Sequence, residues 1–259
     1  MNTQTTRSSE IGPWGLLPIS ARQSSQRERL AKRRGLIFDL DDTLYPRERF
    51  IRSGFAAVAN DLQRRHGVPA GLVFKILSRS FTQGATGREF QVVCAELNLA
   101  TKEIPYMLRV FRAHKPNLWL PYESSETLRK LRADGWRLAI LTNGLPSVQA
   151  AKVAALALAP MVDTVVYAEA AAPGGKPDAA AFQAVLDRLD LPADRCVMVG
   201  DDPNCDIAGA RAAHLRTIRL ARPDVAVTPG NEADLVIGNI ADVPKLAGGL
   251  LELVALDAA

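Results

Sequence analysis

The segment GLIFDLDDTLYP, residues 35–46, sets Asp39, Asp41 and Asp42 directly behind an apolar run, with Thr43 next in line. A solvated loop scatters such charges, and a buried strand excludes them because an unpaired buried carboxylate is costly. Further along, Thr142-Asn143-Gly144 and Asp201-Asp202 stand behind apolar runs in the same way, with Asp206 close behind, and Lys176-Pro177-Asp178 opens a helical pattern. Brought together, these carboxylates need compensation: two unit charges about 4 Å apart repel by about 4 kcal/mol at an effective dielectric of about 20. A divalent cation supplies it. An all-oxygen set of carboxylates, a carbonyl and waters suits Mg²⁺, which commonly binds through one or two carboxylates plus a substrate phosphate. Lys176 brings further positive charge.

The elements that must position these groups are read from hydrophobic periodicity. GLIFDL is apolar without alternation, as a parallel strand covered on both faces is. From about residue 47 to 114 the pattern is helical. Ile51, Phe55, Val58 and Leu62 share a face, as do Phe90, Val93 and Leu97, and then Ile104, Met107, Leu108 and Phe111. Gly67-Val68-Pro69, Gly84 and Gly87, and Ala100-Thr101 punctuate them. From Pro121 onward helix and strand alternate. ESSETLRKLRADG, LPSVQAAKVAALAL, PDAAAFQAVLDRLD and CDIAGARAAH read as helices. WRLAILT, DTVVYAE, RCVMVGD, LRTIRLA and ADLVIG read as strands.

Such alternation implies right-handed crossovers and a parallel sheet. The expected fold is α/β: a Rossmann-like parallel sheet core with helices on both faces, over residues 35–46 and 120–259, and an inserted all-helical cap over 47–119. Ligands of such sheets sit beyond the carboxyl ends of the strands. Asp39 and Asp41, Thr142 to Gly144, and Asp201-Asp202 fall at those ends.

DLDDT, LTN, KPDAAAF and VGDDPNCD, in this order, resemble the haloacid dehalogenase-like superfamily in its phosphatase branch, over residues 35 to about 240. Asp39 precedes Thr142 by 103 residues and Thr142 precedes Lys176 by 34. That leaves room for a helical C1-type cap after the first strand and none at the later position. The resemblance implies a Mg²⁺-dependent phosphomonoester hydrolase. Asp39 would be the nucleophile, forming an aspartyl-phosphate, and a metal ligand. Asp41 would protonate the leaving alcohol and then deprotonate the hydrolytic water, its backbone carbonyl binding the metal. Thr43 would brace the loop beside the phosphate.

Thr142 and the amides of Asn143 and Gly144 would hold the phosphoryl oxygens. Lys176 would neutralise nucleophile and phosphate, fixed by Pro177 at the first position of a helix. Asp201 would bind the metal directly, with Asp202 and Asp206 as ligands or as holders of metal-bound water. Asp41 argues against the dehalogenase and phosphonatase branches, which lack that acid. A phosphomutase shares every motif and stays open, as does a partner-binding protein with incidental phosphatase activity.

Several single residues carry two readings. Asp202 suits a surface role as well as a metal one, and Cys205 suits packing better than redox chemistry. PGGK lacks the upstream glycine and the following Ser/Thr of a P-loop. Arg47, Arg49 and Arg52 follow the first motif, and RAHKPNLWLPYE, residues 112–123, is the return crossing. A solvated face with a hinge is one reading; contact with an anionic or sugar substrate is the other, with Arg49 the residue expected to bind it. The expected substrate is a small phosphorylated metabolite, a sugar phosphate or nucleoside monophosphate.

The chain of 259 residues is 47% hydrophobic and 23% charged, a composition able to bury a core. Residues 1–34 carry seven basic and two acidic side chains, a net +5, so the rest of a chain of formal charge +4 is nearly neutral at −1. The tail is expected to be disordered, with recruitment of a protein partner as the alternative. No recognition-helix pattern or aromatic-interleaved basic patch points to nucleic acid. No run reaches the roughly 18 apolar residues of a membrane span, and IGPWGLLPI is too short and broken for a secretory signal. Cys94, Cys196 and Cys205 form no CxxC pair, and His66, His114 and His214 show no ligand spacing. A cytoplasmic enzyme with reduced thiols is expected.

Overall fold

The computed structural model describes residues 33–84, 87–221 and 232–257. Of the basic tail read over residues 1–34, residues 1–32 lie outside the described residues. A six-stranded sheet is built from β1 (Gly35–Phe38), β2 (Arg137–Thr142), β3 (Thr164–Tyr167), β4 (Cys196–Gly200), β5 (Arg216–Leu220) and β6 (Leu235–Ile237). The order is β3-β2-β1-β4-β5-β6, and every pairing is parallel.

The unbroken apolar run of β1 has its cause here. β1 lies between β2 and β4, and Leu36, Ile37 and Phe38 are all 0% exposed. Alternate side chains enter opposite layers. Leu36 and Phe38 pack with Leu128 and Leu131 of α5 (Tyr122–Ala133) and with Val243 and Ala247 of α8 (Val243–Asp257). Ile37 packs with Phe182, Val185 and Leu189 of α7 (Ala179–Leu189). Between β2 and β3 runs α6 (Pro146–Ala155).

The helical insert after β1 contains α1 (Glu48–His66), α2 (Ala70–Thr82), α3 (Glu89–Glu96) and α4 (Ile104–Ala113). It has its own apolar cluster, including Phe55, Val58, Leu62, Val73, Leu77, Val93 and Met107. This is a C1-type position, between β1 and β2. No helix among the described residues is long and apolar enough to cross a membrane.

The strand order reverses about β1, which opens a crevice at the carboxyl ends of β1, β2 and β4. The amide of Asp39 continues the ladder past β1 by donating to the Val199 carbonyl at 2.9 Å. Asp42 then turns the chain through the left-handed region, at φ 62°, and its amide donates to the Tyr45 carbonyl. Leu40 and Leu44, both 0% exposed, anchor this turn in the core.

Two local expectations are corrected. Pro177 does not open α7: the helix starts at Ala179 behind an Asp178 N-cap, whose side chain accepts from the Ala180 amide at 2.9 Å. Asp178 therefore satisfies the orphan helix donor, and Pro177 lies outside, in a cis bond to Lys176. CDIAGARAAH is not one α-helix either. Pro203–Ala208 is π-helical and only Gly209–Ala212 is α-helical.

α7 is locked to this second segment at Gly209, where a Cβ would stand 2.6 Å from the Phe182 ring and 2.9 Å from the Pro177 Cα. Phe182→Ala is expected to cost about 3–5 kcal/mol of stability, measured by urea denaturation. A loss below about 1 kcal/mol would show that the α7 face does not depend on this ring.

Candidate active site

Lys176 comes from the loop before α7, yet the residue is only 3% exposed. Its Nζ donates to Asp39 Oδ1 at 2.5 Å, Asp206 Oδ1 at 2.6 Å and the Leu141 carbonyl at 2.9 Å. All three ammonium donors are thereby used. Burial opposes the charge on Lys176, but Asp206 and Asp39 more than offset it and hold its pKa above the ordinary lysine value. Asp39 is pushed well above the usual carboxylate range by burial, with Lys176 opposing and Asp206 adding to the rise.

Asp201, at the end of β4, completes a cluster: carboxylate oxygens of Asp39, Asp201 and Asp206 lie within 4.8 Å of one another. Thr43 Oγ1 donates to Asp201 Oδ1 at 3.3 Å. One ammonium does not balance three carboxylates. Hard oxygen donors converging with net negative charge fit a divalent cation such as Mg²⁺.

The backbone explains how these groups meet. The amide of Asp202 donates to Asp206 Oδ2 at 3.1 Å. A Cβ at Gly200 would collide with the Asp206 carboxylate, so only glycine leaves room for it. The Asp202 carboxylate is used otherwise: it accepts from the amides of Asn204 at 2.8 Å and Cys205 at 2.9 Å, capping the π-helical turn. It lines the cavity but does not join the three-carboxylate cluster. Cys205 also borders the cavity, and burial, with Asp202 and Asp206 nearby, pushes its thiol up to about 11.

Asn143 does more than offer an amide. Its Nδ2 donates to the Lys176 carbonyl at 2.9 Å and its Oδ1 accepts from the Lys176 amide at 2.8 Å. Gly175, at φ 67°, permits this clasp, since a Cβ there would lie 2.5 Å from Asn143 Oδ1.

Asp41 heads a second polar group. Lys152 Nζ donates to its two oxygens at 2.6 and 2.9 Å, Tyr45 Oη at 2.6 Å and Gln149 Nε2 at 3.1 Å. Gln149 also donates to Thr142 Oγ1, tying the end of β2 to the end of β1. Burial alone would raise the Asp41 pKa, but the Lys152 charge and these hydrogen bonds bring it below the ordinary value.

The sequence reading missed Gln149 and Lys152. They stand three residues apart in a helix otherwise made of small and apolar residues, hence on one face. Polar pairs at that spacing usually face water; here both are buried.

Between sheet and insert lies a cavity of about 500 Å³. Asp39, Asp41, Asp201, Asp206, Lys176, Thr142, Asn143 and Gly144 line it from the sheet side, with Arg47, Phe50, Ile51, Phe111 and Arg112 from the insert. Two residues expected at the substrate are not brought to it. Thr43 is buried against Asp201. Arg49 lies 4.2 Å over the Trp119 ring and donates to the Trp119 carbonyl, which fixes it at the return crossing.

A model of the haloacid dehalogenase-like hydrolases matches residues 34–214. A ribulose-1,5-bisphosphate 5-phosphatase of Halopiger xanaduensis is 32% identical over 203 residues, covering 71% of this chain and 82% of that protein. A HAD-hydrolase of Bacillus subtilis, solved with magnesium bound, superposes with a TM-score of 0.61 at 20% identity, over 83% of this chain and 98% of its own, a likeness of fold. A 2-haloacid dehalogenase of Pseudomonas syringae superposes with a TM-score of 0.58 at 27% identity, over 84% and 99%.

Replacing Lys176 by Met removes the shared cation from two buried carboxylates. In metal-free buffer near neutral pH this is expected to cost about 3–5 kcal/mol, measured by urea denaturation. Unchanged stability would show that Asp39 and Asp206 do not depend on that ammonium.

Proposed function

This chain belongs to the haloacid dehalogenase-like hydrolases, in their phosphatase branch, and we propose that it is a Mg²⁺-dependent hydrolase of small phosphorylated metabolites acting through an aspartyl-phosphate on Asp39. The observation that carries this reading is the Lys176 ammonium shared between Asp39 and Asp206, with Asp201 in reach and Asp41 lining the same cavity. Residues 35–46 and 120–259 form the catalytic core in this reading, and 47–119 the cap.

Lys176 engages one oxygen of Asp39. The other attacks phosphorus, the bond from phosphorus to the ester oxygen breaks, and Asp41 gives its proton to the departing alkoxide. Water then attacks the phosphoryl group on Asp39 while Asp41 takes back a proton, which releases phosphate and restores both carboxyl groups. Asp41 must therefore be protonated for the first step and ionised for the second. Lys152 holds it ionised in the free site, and the negative charge of a bound phosphate raises its pKa. Thr142, Asn143 and Gly144 offer hydroxyl and backbone donors at the end of β2 for the phosphoryl oxygens. Asp39, Asp201 and Asp206, with the Asp41 carbonyl, would hold Mg²⁺, which when bound offsets charge gathering on the transferred group.

A dehalogenase reading, which the Pseudomonas syringae neighbour invites, leaves Asp41 and the three-carboxylate cluster without a task. Phosphate release from sugar phosphates, nucleoside monophosphates and an aryl phosphate tests the proposal. Release with Mg²⁺ is expected, EDTA should suppress it, and Asp39→Asn should lower it by about 10⁴-fold or more. Asp41→Asn should lower it by about 10²–10⁴-fold. Release that survives EDTA or Asp39→Asn contradicts the proposal.

A further inference from the structure

The cavity has a second charged feature, on the side of the helical insert. Arg47 immediately precedes α1, and Arg112 lies in the last turn of α4, so the pair marks the two crossings between sheet and insert. Both line the cavity that holds Asp39 and Lys176. Among the described residues neither guanidinium has a hydrogen bond or an ion pair, whereas Lys152 and Lys176 are engaged with Asp41, Asp39 and Asp206. Neighbouring arginines are committed elsewhere: Arg49 to Trp119, and Arg52 to Glu48 at 2.6 Å.

We propose that Arg47 and Arg112 form an anion subsite that selects phosphomonoesters bearing a second negative group, a carboxylate or another phosphate, at the end remote from the transferred phosphoryl. This specificity rests on the phosphatase reading given above. Two like charges facing one cavity repel, and an anion between them relieves that repulsion. A guanidinium also presents a planar fork that matches carboxylate and phosphate oxygens.

The cavity of about 500 Å³ suits a small molecule. Phe50, Ile51 and Phe111 give the insert side apolar walls, which accommodate a short carbon chain between the two anionic ends. Glu169, which follows β3 on the sheet side, also lines the cavity and disfavours an anion there.

Glycerol phosphate, phosphoglycerate and glycerol bisphosphate share one carbon chain and differ in the charge of the remote end. Steady-state kinetics should show kcat/KM at least about tenfold higher for phosphoglycerate or the bisphosphate than for glycerol phosphate. Whichever is preferred identifies the remote group. Arg112→Gln and Arg47→Gln should each lower that selectivity ratio about tenfold or more, chiefly through KM, and Arg112→Lys should retain more of it than Arg112→Gln. A wild-type ratio near unity, or variants that slow all three compounds equally, would overturn the subsite while leaving the phosphatase reading intact. No release from these compounds or from an aryl phosphate overturns both.

Discussion

One buried ammonium sets the terms for the rest of the molecule. Lys176 is held by carboxylates at the end of β1 and in the turn after β4, and by a carbonyl of β2. Burying a charge is tolerable only when it is paired and hydrogen-bonded, and those three segments meet only because β1 lies between β2 and β4. The smaller features serve the same end. Asn143 clasps the Lys176 backbone, Gly175 leaves space for the clasp, and Gly200 leaves space for Asp206.

Two carboxylates that stand two residues apart along the chain have opposite environments. Asp39 shares its cation with Asp206 and lies deep, which favours its neutral form. Asp41 accepts from Lys152, Tyr45 and Gln149, which favours its charged form. Phosphoryl transfer asks the reverse of both at the moment of attack. Positive charge at the carboxylate cluster lowers Asp39, and the negative charge of a phosphate raises Asp41. The free site is thus poised to change protonation when it is loaded, and environments that push two titratable groups apart are the usual mark of divided acid and base roles.

Much of this was legible in the residues because the constraints were local. The apolar run of β1, the polar groups behind β1, β2 and β4, and the helical insert all follow from periodicity and punctuation. What escaped depended on long-range partners. Lys152 and Gln149 look like a solvated face of α6 until Asp41 and Thr142 are placed against them. By residue type and position Asp202 suits a metal role as well as a surface one, but its carboxylate is taken by amides two and three residues ahead. Arg49 and Arg47 stand two residues apart in one basic stretch, and only the packing of Trp119 decides that Arg49 is turned away from the cavity.

The central claim is that Asp39, held by Lys176, carries the phosphoryl group. Aspartyl-phosphates are reduced by borohydride, which converts the aspartate to homoserine. The protein turning over an aryl phosphate with Mg²⁺ would be quenched, treated with borohydride and mapped by mass spectrometry. The account predicts homoserine at position 39, dependent on substrate and absent without it. Reduction at another carboxylate, or none while phosphate is being released, would contradict it.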